Sequence, residues 1–436
     1  MRVVYVSHVA KFVLVGLSFV MLIVLTAKTV SSRLNSQKKL VEETSSWVFK
    51  SLDGGIELLP VQQVKYVDVN LLAYRSFDES KSPFILPPDK DMTGTVYTKH
   101  KPAGSTRYIS IGYFDPNKEL SFLQKTYFDE CEYSKCKMTN DVESADAVIF
   151  LVARLTRVGV PTFRRKPGQI WIMKTDEAPS RFTWFESLNR TGLKEHFNWT
   201  LTHKLDSDIP FVYGRLIRQN LTEPKDYDKI YQGKNRTAAW FVSHCKVRSD
   251  RMIYVERMQS RTDVDIFGLC GPYTCGMAEK VPGVQTMRKQ ADQLQCFPLL
   301  SQSYKFYLAF ENSLCQEYIS EKFFKLFNNV DVVPVVRGGA DYKRYFPSDM
   351  YVDAADFSTP EALADYLDDL GNDKERYISY LKNKDRYRSV LEFPDWQCRL
   401  CEKLHTDHSI HTYSNVYEWW VKDSCHDPVD SQQMFW

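Results

Sequence analysis

Residues 304–327 read YKFYLAFENSLCQEYISEKFFKLF. The stretch opens with Phe306, Leu308 and Phe310 alternating against Lys305 and Tyr307, the two-residue period of a strand. It closes with Phe323, Phe324 and Phe327 at helical spacing. Between them stands a polar cluster, Glu311, Asn312, Ser313, Glu317, Ser320, Glu321 and Lys322, where a short connection would suffice. The next residues, NNVDVVPVVRGG (328–339), predict a second buried strand from Val330 to Val336, closed by Gly338 and Gly339. Strand, helix and strand in this length form a βαβ unit, whose strands run parallel. Ligands of such units bind beyond the carboxyl ends of the strands, at the helix N-terminus, and the polar cluster falls there.

The same alternation extends in both directions. RYISIGYF (107–114), ADAVIFLVARL (145–155) and QIWIMKTDEAPS (169–180) predict strands of a first α/β domain over residues 105–235. RTAAWFVSHC (236–245) and VDIFG (264–268) predict strands of a second domain over residues 236–395, with a helix from about Ser249 to Ser260 between them. STPEALADYLDDLG (358–371) predicts a helix with Thr359 as N-cap, Pro360 in the first turn and Gly371 as stop, and another helix covers about Asp373–Lys384. Residues 396–436 form a cysteine-bearing C-terminal tail. Two α/β halves facing a cleft is the architecture of many sugar-nucleotide-dependent transferases.

Charge excludes one class of partner. Lys plus Arg number 57 against 55 Asp plus Glu, and no basic stripe carries interleaved aromatics, so nucleic-acid binding is set aside. FVLVGLSFVMLIVLTA (12–27) is uncharged and bracketed by Lys11 and Lys28. It predicts a transmembrane signal-anchor over 12–28 behind a cytoplasmic tail (1–11), followed by a polar stem (29–104). A cleavable signal peptide is the competing reading, and both send the remaining chain into the secretory pathway. Sequons at Asn189, Asn198, Asn220 and Asn235 agree with that compartment. So do ten cysteines, which read as disulfides in a lumenal protein. CRLC (398–401) near His405, His408 and His411 offers a zinc alternative, weakened because a second CxxC knuckle is missing.

FENSLCQEYISEK (310–322), followed by VVPVVRGGADYKRYFPSDMYVDAADFSTPEALADYL (332–367), resembles the signature of the α1,3-fucosyltransferases, glycosyltransferase family 10. The similarity continues upstream through AAWFVSHCKVRSDR, NWTLTHKLDSDIPFVYG and QIWIMKTDEAPS, so it covers roughly residues 107–402. CGPYTCG and FENSLC resemble invertebrate and plant members that act on the N-glycan core. The resemblance implies an α/β fold of GT-B architecture: two Rossmann-like domains facing a cleft, preceded by the transmembrane segment and stem. It implies GDP-β-L-fucose as donor and transfer with inversion to O3 of a GlcNAc residue on glycoprotein glycans. The location it implies is the Golgi membrane, single-pass type II with the catalytic domain lumenal. It also implies that Cys398 and Cys401 bond to the early pair Cys131 and Cys136.

The chemistry asks for particular residues. Breaking a sugar–phosphate bond builds an oxocarbenium-like sugar and releases a diphosphate, so fixed cations and N–H dipoles are needed at the phosphate. Lys322, in the first turn of the helix after the strand, supplies one cation, with the helix N-terminus behind it. Arg251 is the second, where family members place a diphosphate-binding arginine, and Arg248 is the alternative. Glu321 is suited to the ribose hydroxyls, with Tyr318 beside the nucleoside. By resemblance Asn312 and Tyr213 also face the donor. The acceptor hydroxyl needs a base, and Glu177 in TDEAPS matches the family's Glu-x-Pro position, with its neighbour Asp176 as the rival.

DSD (206–208) and DVD (263–265) look like the Asp-x-Asp that chelates Mn²⁺ in other transferases. In this family the Asp-Ser-Asp is not a metal site, so no metal is expected to be obligatory, with loose Mn²⁺ stimulation left open. Four features depart from the family pattern: His244 for Asn, the loss of paired arginines before Asp206, Val212 for Pro, and Arg337 at an apolar position. The acceptor stays open between core and antennal GlcNAc. A reading of another class is a Golgi glycan-binding protein that keeps the fold without turnover.

Overall fold

The computed structural model describes residues 47–52, 55–60, 77–86, 107–114, 128–158, 161, 163–181, 194–219, 224–275, 290–390, 396–409 and 411–431. The anchor expected over 12–28 lies outside them. Among the described residues no helix is long and apolar enough to cross a membrane. The chain divides into a unit Met1–Val69 and a unit Asn70–Trp436. The first contains an antiparallel hairpin pairing Trp47–Leu52 with Gly55–Pro60.

The second unit holds two five-stranded parallel sheets. The first is built from β1 (Ile109–Tyr113), β2 (Cys136–Met138), β3 (Ala147–Leu151), β4 (Ile170–Lys174) and β5 (Trp199–Leu201), in the order β2-β1-β3-β4-β5. The second contains β6 (Arg236–Phe241), β7 (Val264–Phe267), β8 (Tyr304–Phe310), β9 (Val333–Arg337) and β10 (Val352–Asp353), in the order β7-β6-β8-β9-β10. Leu308 sits opposite Val335, and Ala309 opposite Val336, in parallel register. Every residue of β9 is buried, as a strand covered on both faces requires. The pair of Rossmann-like sheets expected from the alternation is present.

The first sheet is covered by the C-terminal residues. Ile149, Ile172 and Trp199 pack on one face with Trp396 and Leu400, from the helix Trp396–Thr406. Val148, Phe150 and Trp171 pack on the other with Val416 and Trp420, from the helix Val416–Val421. Alternate side chains of a strand point to opposite faces, so each face needs its own cover. The segment read as a tail is therefore part of the first domain's core.

Two further boundaries shift. Residues 77–86, assigned to the stem, are folded: Ile85–Leu86 pairs with Arg215–Arg218, which in turn pairs with Tyr387–Val390. Phe84 is fully buried against Phe324, Tyr345 and Phe346 of the second domain. Gly371 does not end its helix, which runs Pro360–Asn372. It is small for packing, since a Cβ there would stand 2.9 Å from Lys305 Cδ. Asp373 caps this helix and opens the next, its side chain accepting from Arg376 N.

All ten cysteines are bonded: Cys131–Cys398, Cys136–Cys401, Cys245–Cys270, Cys275–Cys296 and Cys315–Cys425. The first two are the pairing implied by the family resemblance. Cys136, Cys401 and His405 do gather their ligand atoms. The two sulfurs are joined to each other, so no thiolate is available to zinc there.

Candidate active site

The cluster that follows β8 is built around Glu311, the first residue after the strand, which is fully buried. Its carboxylate accepts from Ser320 N (2.7 Å) and Ser320 Oγ (2.8 Å) and meets Lys322 Nζ at 3.0 Å. Lys322 Nζ also donates to Ser320 Oγ (2.6 Å) and lies 3.6 Å from Glu321. Burial pushes the Lys322 ammonium down, but Glu311 and Glu321 more than offset that and hold it above its ordinary range. Burial likewise raises Glu321, yet Lys322 and Lys325 keep it below the usual carboxylate range. Both therefore stay charged. Glu311 was read as part of the polar cluster without a role. A carboxylate at a strand end, eleven residues before a lysine, carries no sequence signal of that contact.

The helix expected after the cluster is short. It spans only Glu321–Phe324 and continues as a 3₁₀ turn, Lys325–Phe327. A single turn has little aligned dipole to offer, so the positive field here comes from side chains. Its helical signal was packing: Phe323, Phe324 and Phe327 are buried, at about 1.5–3 kcal/mol each.

Arg251 opens the helix Arg251–Met258 and is 3% exposed. Its guanidinium donates to Phe310 O (2.8 Å) and His244 O (3.2 Å) and stacks over Trp240. Nε is buried without a hydrogen-bond partner. Burial lowers its pKa, and Glu311, Tyr318 and Glu321 are close enough to act on it in the opposite sense. A cavity of about 670 Å³ is lined by Ser180 of the first domain and by His244, Lys246, Arg248, Asp250, Asn312 and Ser313 of the second. Arg251 is not part of this lining, whereas Arg248, the alternative cation, is. Lys246 also lines it and was not anticipated. Asn312 Oδ1 is buried with no partner and 8% of the residue is exposed.

The base candidate meets the Glu311–Lys322 segment across the domains. Glu177 follows β4 in a turn where its N–H donates to Thr175 Oγ1 at 3.2 Å. Tyr318 hydroxyl, from the second domain, donates to Glu177 Oε2 at 3.4 Å. The Tyr318 ring stands edge-on to Tyr213 (5.9 Å) and to His203 (5.1 Å). Tyr213 hydroxyl donates to Asp176 O. Burial, reinforced by Glu177, Asp176 and Glu321, holds the Tyr213 phenol well above its ordinary pKa. Burial does the same to Tyr318, so both phenols remain donors. Sequence thus brings Glu177, Tyr213, Tyr318, Glu321, Lys322 and Arg251 into one neighbourhood.

In each Asp-x-Asp at least one carboxylate is already bonded within the protein. Asp208 accepts from Thr200 N (2.9 Å) and Tyr413 OH (2.9 Å) and faces His411 (3.1 Å). Asp206 accepts from Trp419 Nε1 (3.1 Å). Asp265 is held by Arg236 and by Tyr304 OH (2.6 Å). Of the four sequons, Asn189 and Asn220 lie outside the described residues. Asn235 is exposed. Asn198 corrects the reading: it is fully buried, its amide accepting from Trp171 N (2.9 Å) and donating to His411 O (2.8 Å), with no space for a glycan.

Two family descriptions match the chain: "Glycosyltransferase family 10 (fucosyltransferase) C-term" over residues 231–419, and "Fucosyltransferase, N-terminal" over 109–214. Alpha-(1,3)-fucosyltransferase C of Drosophila melanogaster is 32% identical over 324 residues, covering 68% of this chain and 71% of that protein. Glycoprotein 3-alpha-L-fucosyltransferase A of the same organism is 32% identical over 323 residues, covering 72% of this chain and 59% of that protein. A solved structure described as "Crystal Structure of alpha1,3-Fucosyltransferase with GDP-fucose" has 15% identity and a TM-score of 0.44, covering 71% of this chain and 94% of that one. By the two family matches and the Drosophila relatives the chain belongs to glycosyltransferase family 10, the fucosyltransferases, and is an enzyme of the α1,3-fucosyltransferase kind.

Proposed function

We propose that the enzyme transfers L-fucose from GDP-β-L-fucose, with inversion, to O3 of a GlcNAc residue of glycoprotein glycans, the core N-glycan GlcNAc being the favoured acceptor. The observation that carries the reading is the Glu177 carboxylate meeting Tyr318 of the donor segment at 3.4 Å, with Lys322 and Glu321 on the same segment. A base and a diphosphate clamp are then contributed by opposite walls of one cleft. Glu177 takes the proton from the acceptor O3 as that oxygen attacks the anomeric carbon, and the bonding pair to the phosphate oxygen leaves with GDP. Lys322, with Arg251 and Arg248 nearby, meets the charge that grows on the diphosphate. Glu321 accepts from the ribose hydroxyls, Tyr318 packs beside the nucleoside, and Asn312 and Tyr213 face the donor. No metal is obligatory in this scheme, in which Lys322 and the arginines meet the diphosphate; Asp206, Asp208 and Asp265 are already engaged by protein donors. The catalytic domain works on the lumenal side of the Golgi membrane.

Incubating the purified protein with GDP-fucose and defined N-glycans, then mapping the fucose by mass spectrometry, tests the reading. Fucose on O3 of the innermost GlcNAc is expected. Fucose on antennal GlcNAc alone would replace the acceptor assignment and keep the donor. GDP-fucose consumption that no glycan acceptor stimulates would overturn it in favour of a binding protein.

A further inference from the structure

The segment Glu311–Ser320 carries no helix or strand between β8 and the short helix, yet it is fixed along its length. Cys315 is fully buried and bonded to Cys425. On either side of that bond His426 N donates to Leu314 O (3.0 Å) and Gln316 N donates to Ser424 O (2.7 Å). Gly339 lets the backbone come close, since a Cβ there would stand 2.3 Å from Cys315 N. Glu317 adopts a left-handed conformation (φ 58°), which a glutamate rarely takes without support. Its carboxylate accepts from Leu205 N of the first domain at 2.8 Å. The very next residue is Tyr318.

The residues around Cys425 are themselves anchored in both domains. Cys398 and Cys401 tie their start to Cys131 and Cys136, and Trp420 is buried in the first domain's core. Beyond Cys425, Asp430 forms a two-point ion pair with the buried Arg337 (2.6 and 2.7 Å) at the end of β9. This explains a charge at a position expected to be apolar. The C-terminal strap thus crosses from the wall that carries Glu177 to the segment that carries Tyr318, and Cys315–Cys425 is its covalent end.

We propose that the Cys315–Cys425 disulfide is a positioning device for the transfer reaction: by fixing the segment to the strap, it keeps the Tyr318 hydroxyl on Glu177 and so holds the base in one orientation. The proposal rests on Glu177 being the base. Donor contacts through Lys322 do not depend on this bond, because Glu311 and Ser320 hold that ammonium independently. Loss of the disulfide therefore separates turnover from donor affinity. Misplacement of a reacting group by about 1 Å costs up to about 10²-fold in rate, so a loss on the order of 10-fold is expected for a carboxylate that loses one of its holders.

The test is a double-mutant cycle on the full chain. Cys315→Ser/Cys425→Ser should lower kcat on the order of 10-fold, while the Kd for GDP, whose diphosphate is met by Lys322 and whose nucleoside lies by Tyr318, rises by no more than about 3-fold. In a Glu177→Gln background the same double substitution should change the residual transfer by less than about 2-fold, because nothing is left to orient. Tyr318→Phe, which keeps the disulfide and the ring, should lower kcat and be silenced by Glu177→Gln in the same way. Unchanged kcat in the cysteine variant, equal losses in kcat and GDP affinity, or a full loss repeated in the Glu177→Gln background would each overturn the proposal. Should the cysteine variant fail to fold, wild-type kcat in Tyr318→Phe overturns it alone, and the expected coupling in Tyr318→Phe supports it. Full turnover by Glu177→Gln itself would instead remove the base assignment on which it rests.

Discussion

A lysine aimed at a diphosphate has to be kept charged and still when no phosphate is present. Lys322, proposed for that role, is held by Glu311, a fully buried carboxylate whose own charge is satisfied by Ser320 and Lys322 together. Removing one member of a buried ion pair leaves the other uncompensated, at about 3–5 kcal/mol. Lys322→Ala should therefore weaken GDP binding by about 2–4 kcal/mol and lower thermal stability as well. Calorimetric titration with GDP beside a melting curve reads both, and a variant with wild-type GDP affinity would place the diphosphate elsewhere. His203 carries a second prediction at this scale. Burial, then Lys204, pushes its imidazole down to about 3, and the hydrogen bond with the Gln316 backbone only partly offsets this. The folded state thus stays neutral where the unfolded chain, near pH 6.5, takes up a proton. The stability this contributes is complete above about pH 6.5 and is lost as pH falls toward 3, at about 1.4 kcal/mol per unit. Urea midpoints at about pH 7 and about pH 5 should fall less in His203→Gln than in the wild type, and equal slopes would show that His203 charges freely in the fold.

Among the elements, the ones with a clean period were legible. Ile109–Tyr113, Ile170–Lys174, Arg236–Phe241 and Tyr304–Phe310 fall within the stretches that alternation and apolar runs picked out. The misreadings share one cause, contact with residues distant in sequence. The run Phe323–Phe327 looks helical because its faces are buried, although it completes only one α-turn before tightening. Gln290–Ser303 went unseen because Pro298 stands inside the helix and erases the usual signal. Asn198 follows the sequon rule while its neighbours, Trp199 and Thr200, form the buried strand β5. Asn235 precedes β6 at an exposed position. When the protein is expressed through a secretory pathway, Asn235→Gln should consequently speed its migration on a gel by one glycan. Asn198→Gln should leave migration unchanged and lower stability, because its amide bonds Trp171 and His411. A glycan mapped to Asn198 in the folded enzyme would contradict the burial.

At the scale of the molecule, residues 396–431 were the least legible part. Nothing local in Trp396–Thr406 or Val416–Val421 announces that the two helices cover opposite faces of a sheet some 200 or more residues earlier in the chain. The polar cluster after β8, by contrast, was legible because so many charged and hydroxyl side chains between two apolar elements have no packing reason to be there. Its partners were not: Glu311 for Lys322, and the two carbonyls that occupy Arg251, emerge only from the folded chain. In the proposed scheme the two domains, the strap and the disulfides serve one arrangement, the Glu177 carboxylate of one domain facing the Tyr318–Lys322 segment of the other. The direct test is Glu177→Gln, with Asp176→Asn as its matched control. A general base acts only as the bond forms, so GDP should bind Glu177→Gln as it binds the wild type while fucose transfer falls by about 10²-fold or more. Asp176→Asn should lose far less. Full transfer by Glu177→Gln together with an inactive Asp176→Asn would contradict the account and move the base by one residue.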